Sequence, residues 1–207
     1  SAWSQEFIKA TESNNLLKNN DLKSLYDKIL DRLQDNKSQA ELFINIFKRL
    51  EPLANSKRAS PKEFIIVKPI IDSFKLFESE FLERGISYNI IGDKDASHLG
   101  WEIDFQIVFA NLIENSIYWL SNSSSKNIQV SIEERDDKII IDYQDTGAGI
   151  DEENIQNQDI FDPGFTTKEE GSGLGLSIAG EALERNKGKI EAVSSATGAN
   201  FIIKLNK

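Results

Sequence analysis

Asp145-Thr146-Gly147-Ala148-Gly149, Ile160-Phe161-Asp162-Pro163-Gly164-Phe165-Thr166-Thr167-Lys168 and Gly171-Ser172-Gly173-Leu174-Gly175-Leu176 follow one another along the chain, and their order decides its fold. Asp145 comes directly after an apolar, alternating run. A carboxylate there can accept a hydrogen bond from an adenine amino group, an offer guanine's carbonyl cannot make, while Gly147 and Gly149 let the backbone approach a flat base. The last of the three stretches feeds a helix start, and a glycine-rich entry to a helix turns unpaired amides toward phosphate oxygens. A tight turn with an Asp cap, or a lone glycine run, would mean little. The ordered set carries the inference.

Upstream, an apolar helix is expected over about Trp101 to Leu120, and it contains Asn111-Leu112-Ile113-Glu114-Asn115. Residues four apart share a helical face, so Asn111 and Asn115 are expected to project together. Amide oxygen is a hard ligand suited to Mg²⁺. Around these patches helix and strand signals alternate, the pattern of a layered α/β structure. Phe64 to Val67 reads as a strand, and Pro69 to Gly85 as one helix opened by the proline and closed by the glycine. Ile86 to Ile91 reads as a strand and Gly92 to Asp95 as a loop. Asn127 to Glu134 and Lys138 to Gln144 read as a hairpin. A last helix from Leu174 to Lys187, capped by Gly188, precedes strands at Ile190 to Ser194 and Asn200 to Leu205.

The first 59 residues have a different texture. Leu22, Tyr26, Ile29 and Leu33, then Ala40, Phe43, Phe47, Leu50 and Ala54, step by three and four as two helical seams. Between them lies the polar turn Asp35-Asn36-Lys37, and Ser38 with Glu41 has the spacing of a capping box. An antiparallel helical hairpin is expected over about residues 21 to 56, either packed on its own domain or serving as a dimerisation stalk. The division is therefore a 1–59 hairpin segment and a 60–207 domain.

Composition bounds the function. The 207 residues carry a net charge of −10, and such a surface repels phosphate backbones, so general nucleic-acid binding is disfavoured. The absence of Cys removes disulfides, thiolate metal sites and Cys nucleophiles, and it fits a reducing compartment. No apolar run reaches the roughly 18 residues of a membrane span, and no signal peptide is visible. The Ser1-Ala2 start without Met reads as a piece excised from a longer chain. A cytoplasmic location is expected, whether or not a parent chain is anchored in a membrane.

With these motifs in order, residues 64 to 206 resemble the superfamily of gyrase, heat-shock chaperone, MutL and histidine-kinase ATPases, and within it the sensor histidine kinases most of all. The N box is similar to Asn111–Asn115, the G1 box to Asp145–Gly149, the F box to Phe161–Phe165 and the G2 box to Gly171–Gly175. The resemblance implies the α+β Bergerat fold, a two-layer sandwich with helices on one face of a mixed sheet, and ATP with Mg²⁺ as ligand. It further implies a mobile lid between the F and G2 boxes. By that similarity Asn115 ligates Mg²⁺, Asp145 selects adenine, Gly147, Gly149 and Trp119 line the base pocket, and Gly173 and Gly175 bind phosphates. Phe161, Thr167, Gly171 and Leu174 belong to the same nucleotide-binding set, and Lys168 is a γ-phosphate partner.

Two positions depart from the family pattern: Tyr118, which removes a phosphate-binding cation, and Asn111, which favours phosphoryl transfer over rapid hydrolysis. Many histidine kinases carry Lys three residues after the metal-binding Asn, whereas this chain has Tyr118. Hydrolytic members usually place a Glu four residues before that Asn to activate water; here the residue is Asn111, which cannot act as a base. Glu114, about 60° around the helix from Asn111, is the reserve base. The expected activity is transfer of the ATP γ-phosphoryl group to a His outside this chain, for relay to an Asp of a response regulator. His98, the sole histidine, sits before Leu99-Gly100-Trp101 in an expected loop with no acidic residue after it. It reads as a surface or loop-anchoring residue, so the acceptor lies upstream of Ser1 or is absent. Expected partners are ATP or ADP, a response regulator or other phosphoacceptor protein, and a second copy through the hairpin. Two alternatives have the same fold, a stand-alone ATPase or ATP-gated clamp and a non-catalytic nucleotide-sensing scaffold.

Overall fold

The structure, a computed structural model, describes residues 60–168 and 171–206. The expected hairpin over 21–56 and the boundary at residue 59 lie outside the described residues. A two-stranded ribbon opens the fold, with β1 (Lys62–Ile65) antiparallel to β3 (Ser97–Gly100). Between them run α1 (Val67–Leu76), α2 (Glu78–Arg84) and β2 (Ser87–Gly92). Then follow α3 (Glu102–Leu120), β4 (Asn127–Arg135), β5 (Lys138–Asp145), α4 (Glu152–Asn157), a single 3₁₀ turn (Asp159–Phe161), α5 (Gly175–Arg185), β6 (Gly188–Val193) and β7 (Asn200–Asn206). The main sheet has the order β2-β4-β5-β7-β6; β2 and β4 are parallel and every other neighbouring pair is antiparallel.

Period-two patterning gives the sheet one buried face. Ile128, Val130 and Ile132, then Ile139, Ile141 and Tyr143, then Phe201, Ile203 and Leu205 all point into the core, while their neighbours Glu133, Ile140, Asp142 and Lys204 do not. α3 closes that core. Phe105, Val108, Phe109, Leu112, Ile113 and Leu120 are fully buried, because α3 is flanked by α1 and α5 and so has little solvent-facing surface to keep polar. The expected mixed sheet with helices on one face is the architecture found.

Several local expectations are corrected. The first strand ends at Ile65, and α1 begins at Val67 with Pro69 inside its first turn, where amides have no intrahelical acceptor to lose. The single helix expected from Pro69 to Gly85 is two, broken at Phe77 (φ −109°, ψ 12°); Gly85 does end the second, in the left-handed region at φ 66°. Gly188 does not cap α5: the left-handed residue is Lys187 (φ 55°), and Gly188 opens β6, where a Cβ would come 2.5 Å from Leu205 Cδ2. His98 is not in a loop. It is buried on β3, opposite Phe64.

Candidate nucleotide site

Asp145 ends β5 and is almost fully buried. Its carboxylate is fixed by three donors: the Gly147 amide (2.9 Å) and the Ala199 amide (3.0 Å) on Oδ1, and the Ser116 hydroxyl (2.6 Å) on Oδ2. An ionised carboxylate has room for about four acceptor contacts, so one position on Oδ2 remains for an incoming donor. Ser116 lies 2.9 Å from the Tyr143 hydroxyl. Because Ser116 donates to the carboxylate, it accepts from Tyr143. Complete burial, with the Asp145 charge beside it, pushes the Tyr143 phenol well above its ordinary range, so it stays a protonated donor. Ser116, Tyr143 and Asp145 form a chain running from α3 through the core to the turn.

The backbone around Asp145 leaves no slack. Asp145 N donates to Ala199 O (2.9 Å), Thr146 N to Asn127 O (3.1 Å), and the Thr146 hydroxyl accepts from Asn127 N (2.9 Å) while donating to Ser125 O (2.7 Å). Gly147 faces Trp119: a Cβ there would lie 3.1 Å from Trp119 Cβ and 3.1 Å from Asp145 Oδ1. Gly149 has φ 85° and faces Gly198, whose own φ is 65°. A Cβ on Gly198 would stand 2.0 Å from Asp145 O. Ser116, Tyr143 and Gly198 carry no motif in the sequence and enter the site only through the fold.

A second group forms around Asn115, the residue directly before Ser116 on α3. Lys168 Nζ donates to Asn115 Oδ1 at 2.7 Å and lies 4.9 Å from the centroid of the Tyr118 ring. Tyr118 in turn meets Trp119 edge-on, with centroids 4.9 Å apart. The loop bearing Lys168 is tied to the glycine-rich loop, since Gly164 N donates to Gly173 O (3.0 Å) and Gly171 N to Lys168 O (3.2 Å). Gly173 (φ 67°) would place a Cβ 2.3 Å from Gly164 C, and Gly171 one 2.2 Å from Thr166 Oγ1. Gly175 begins α5 against Asn111, whose Oδ1 would be 3.0 Å from an added Cβ.

The remaining expected site residues fall at varied places. Asn111 is buried, and its Nδ2 donates to Ile107 O at 2.8 Å. On the unbroken α3 it shares a helical face with the half-buried Asn115, four residues on, and it faces Gly175 at the start of α5. Glu114 is half-buried, Thr167 is exposed and Leu174 is exposed just ahead of α5. The Phe161 ring turns toward Phe201, 6.3 Å between centroids. The residues present fit an adenine nucleotide: the Asp145 Oδ2 acceptor is open, a side chain at Gly147 would fill the space beside Trp119, and an ammonium already stands at Asn115 Oδ1 as a cation.

Comparison with known proteins agrees with this geometry. Residues 100–207 match the family described as Histidine kinase-, DNA gyrase B-, and HSP90-like ATPase. The sensor histidine kinase TmoS of Ectopseudomonas mendocina is 32% identical over 161 residues, covering 72% of this chain and 16% of that protein. The chain thus spans about a sixth of the length of this curated relative. The solved catalytic domain of histidine kinase ThkA is 27% identical, with a TM-score of 0.63 over 72% of this chain and 97% of that one. ThkA in complex with the response regulator protein TrrA has a TM-score of 0.62 at 22% identity, over 81% of this chain and 49% of that one, and shares the fold. No helix among the described residues is long and apolar enough to cross a membrane. The chain belongs to the Histidine kinase-, DNA gyrase B-, and HSP90-like ATPase family, and residues 100–207 are its ATP-binding domain.

Proposed function

We propose that this domain binds ATP with Mg²⁺ and serves a protein-histidine kinase, donating the γ-phosphoryl group to a His outside this 207-residue chain for relay to a response-regulator Asp. The observation that carries this reading is the buried Asp145 carboxylate, held by three donors with one acceptor position left beside side-chain-free Gly147. Asp145 reads the adenine amino group, with Gly147, Gly149 and Trp119 bounding the base. Asn115 would hold the metal through its amide oxygen, a hard donor suited to Mg²⁺. The amides of Gly173 and Gly175 at the entry to α5 hold phosphate oxygens, with Gly171, Leu174 and Thr167 lining the same loop, and Lys168 pairs with the terminal phosphate. Bound MgATP would supply an electrophilic γ-phosphorus, the metal partly neutralising the negative charge on the phosphate oxygens.

Phosphotransfer is favoured over hydrolysis by Asn111. Its amide is buried and bonded to Ile107 O, so the residue cannot draw a proton from water. Glu114 is the reserve base for the second reading, an ATPase or ATP-gated clamp. The names of the relatives, and the ThkA–TrrA complex, support a response regulator as partner. Dimerisation through the 21–56 segment and a cytoplasmic location remain part of the proposal.

Calorimetry of the whole 207-residue chain with Mg²⁺ and ADP or GDP tests the pocket. ADP binding at least tenfold tighter than GDP, lost in Asp145→Asn, is the expected result. Equal affinity for both bases would refute the assignment of Asp145. Steady phosphate release from ATP that disappears in Glu114→Ala would move the conclusion to the ATPase reading.

A further inference from the structure

The ammonium of Lys168 occupies the oxygen assigned to the metal. Its Nζ is 2.7 Å from Asn115 Oδ1 and 4.9 Å from the Tyr118 ring centroid. The two contacts suit one cation: a carbonyl oxygen takes the donor while the aromatic face one turn along α3 stabilises its charge from the side. The loop delivering Lys168 is fixed by Gly171 N to Lys168 O (3.2 Å) and, further back, by Gly164 N to Gly173 O (3.0 Å). The contact is therefore held in place from the backbone of the glycine-rich loop and does not depend on one long side chain alone.

A divalent magnesium ion sits about 2.0–2.1 Å from its oxygen ligands. An ammonium 2.7 Å from the same Asn115 oxygen would then lie only a few ångströms from that ion, and two cations so close repel each other strongly. Asn115 Oδ1 thus serves one of them at a time unless anionic oxygens come between. A phosphate oxygen is a stronger partner for an ammonium than the neutral Asn115 amide, so a terminal phosphate draws Lys168 off that oxygen.

We propose that Lys168 is a surrogate cation at Asn115 which yields that oxygen to the metal only in exchange for the outermost phosphate, making it a determinant of triphosphate over diphosphate preference. The inference rests on the nucleotide reading above and adds to it a cost of metal entry that ATP offsets and ADP does not.

The test is a set of titrations on the whole chain with ADP and a non-hydrolysable ATP analogue at graded free Mg²⁺, for wild type, Lys168→Met, Asn115→Ala and the double variant. Lys168→Met is expected to lower the Mg²⁺ midpoint for ADP binding severalfold and to cut the preference for the ATP analogue over ADP about tenfold. On the Asn115→Ala background the same substitution should leave the Mg²⁺ dependence unmoved. Lys168→Arg should restore part of the triphosphate preference. An unchanged Mg²⁺ midpoint in Lys168→Met, with ADP still bound, overturns the surrogate-cation inference and leaves the nucleotide site standing. Failure of wild type to bind either nucleotide overturns both.

Discussion

Ser116 donates to Asp145 Oδ2 at 2.6 Å, so the residue directly after the proposed metal ligand aims the carboxylate proposed to read the base. Both halves of the site are thereby set by one turn of α3. Replacing Ser116 by Ala removes a hydrogen bond to a charged group and leaves the Tyr143 hydroxyl, 2.9 Å away, buried without its acceptor. The expected loss is about 1.5–3 kcal/mol, divided between folding and ligand affinity. Thermal unfolding and ADP calorimetry on the same variant separate the two shares. Tyr143→Phe should cost less ADP affinity than Ser116→Ala, because Ser116 can still donate to Asp145.

Gly198 and Gly180 make a paired test of backbone geometry. A Cβ on Gly198 would collide with Asp145 O at 2.0 Å, at a φ of 65° that L side chains avoid, whereas Gly180 has no atom within 4 Å of its added Cβ. Gly198→Ala should destabilise by about 2–4 kcal/mol and weaken ADP binding, since the turn it displaces carries Asp145. Gly180→Ala, inside α5, should stabilise by about 0.5–1 kcal/mol. Urea unfolding of both variants checks the opposite signs.

The parts of this fold legible in the sequence are those where local chemistry and tertiary role coincide. The place of Asp145, Gly147 and Gly149 just after a strand was legible, like the β4–β5 hairpin, because the alternation of the run before them is strong. Spacing puts Asn111 on the Asn115 face of α3, which the unbroken helix keeps, but spacing says nothing about which neighbour covers that face: Asn111 is buried against the start of α5, with its Nδ2 bonded to Ile107 O. β3 escaped notice because Ser97-His98-Leu99-Gly100 is too short to show periodicity and draws its strand geometry from pairing with β1. α4 buries none of its residues, so it left no apolar signal. Ser116 and Tyr143 look like ordinary core positions, and only their meeting across 27 residues gives them a role.

Asp104 is fully buried at the start of α3 and is held by Arg185 from the end of α5, at 3.1 and 2.8 Å, and by Asn186 Nδ2 at 2.9 Å. Arg185→Met leaves a buried carboxylate with one amide partner, and about 3 kcal/mol of stability should be lost. Adding Asp104→Asn to that variant should recover part of the loss, because the uncompensated charge is gone. Failure of the second substitution to recover any stability would show that packing, not charge, makes this clasp.

His98 gives the chain a stability term with a defined direction in pH. Its Nε2 lies 3.0 Å from Asn186 O, so that nitrogen carries the proton, while Nδ1 is buried without a partner. Phe64 and Phe105 pack around the ring. Burial holds the imidazole pKa below its ordinary 6.5, with nearby Lys187 acting in the same direction and the Asn186 carbonyl partly opposing. Well above pH 6.5 the ring is neutral in both folded and unfolded chains, and the stability it contributes is complete. As the pH falls through 6.5 the unfolded chain takes up its proton first, so stability is lost, with a limiting slope of about 1.4 kcal/mol per pH unit. Asp142, raised by burial above its ordinary carboxylate range, opposes this at the acid end by regaining stability as it protonates. Subtracting the profile of His98→Gln, which keeps a donor for Asn186 O but does not titrate, cancels that contribution. The difference between the two unfolding curves should shrink from pH 7 toward pH 5. A constant difference across that range would mean that His98 keeps its ordinary proton affinity in the core.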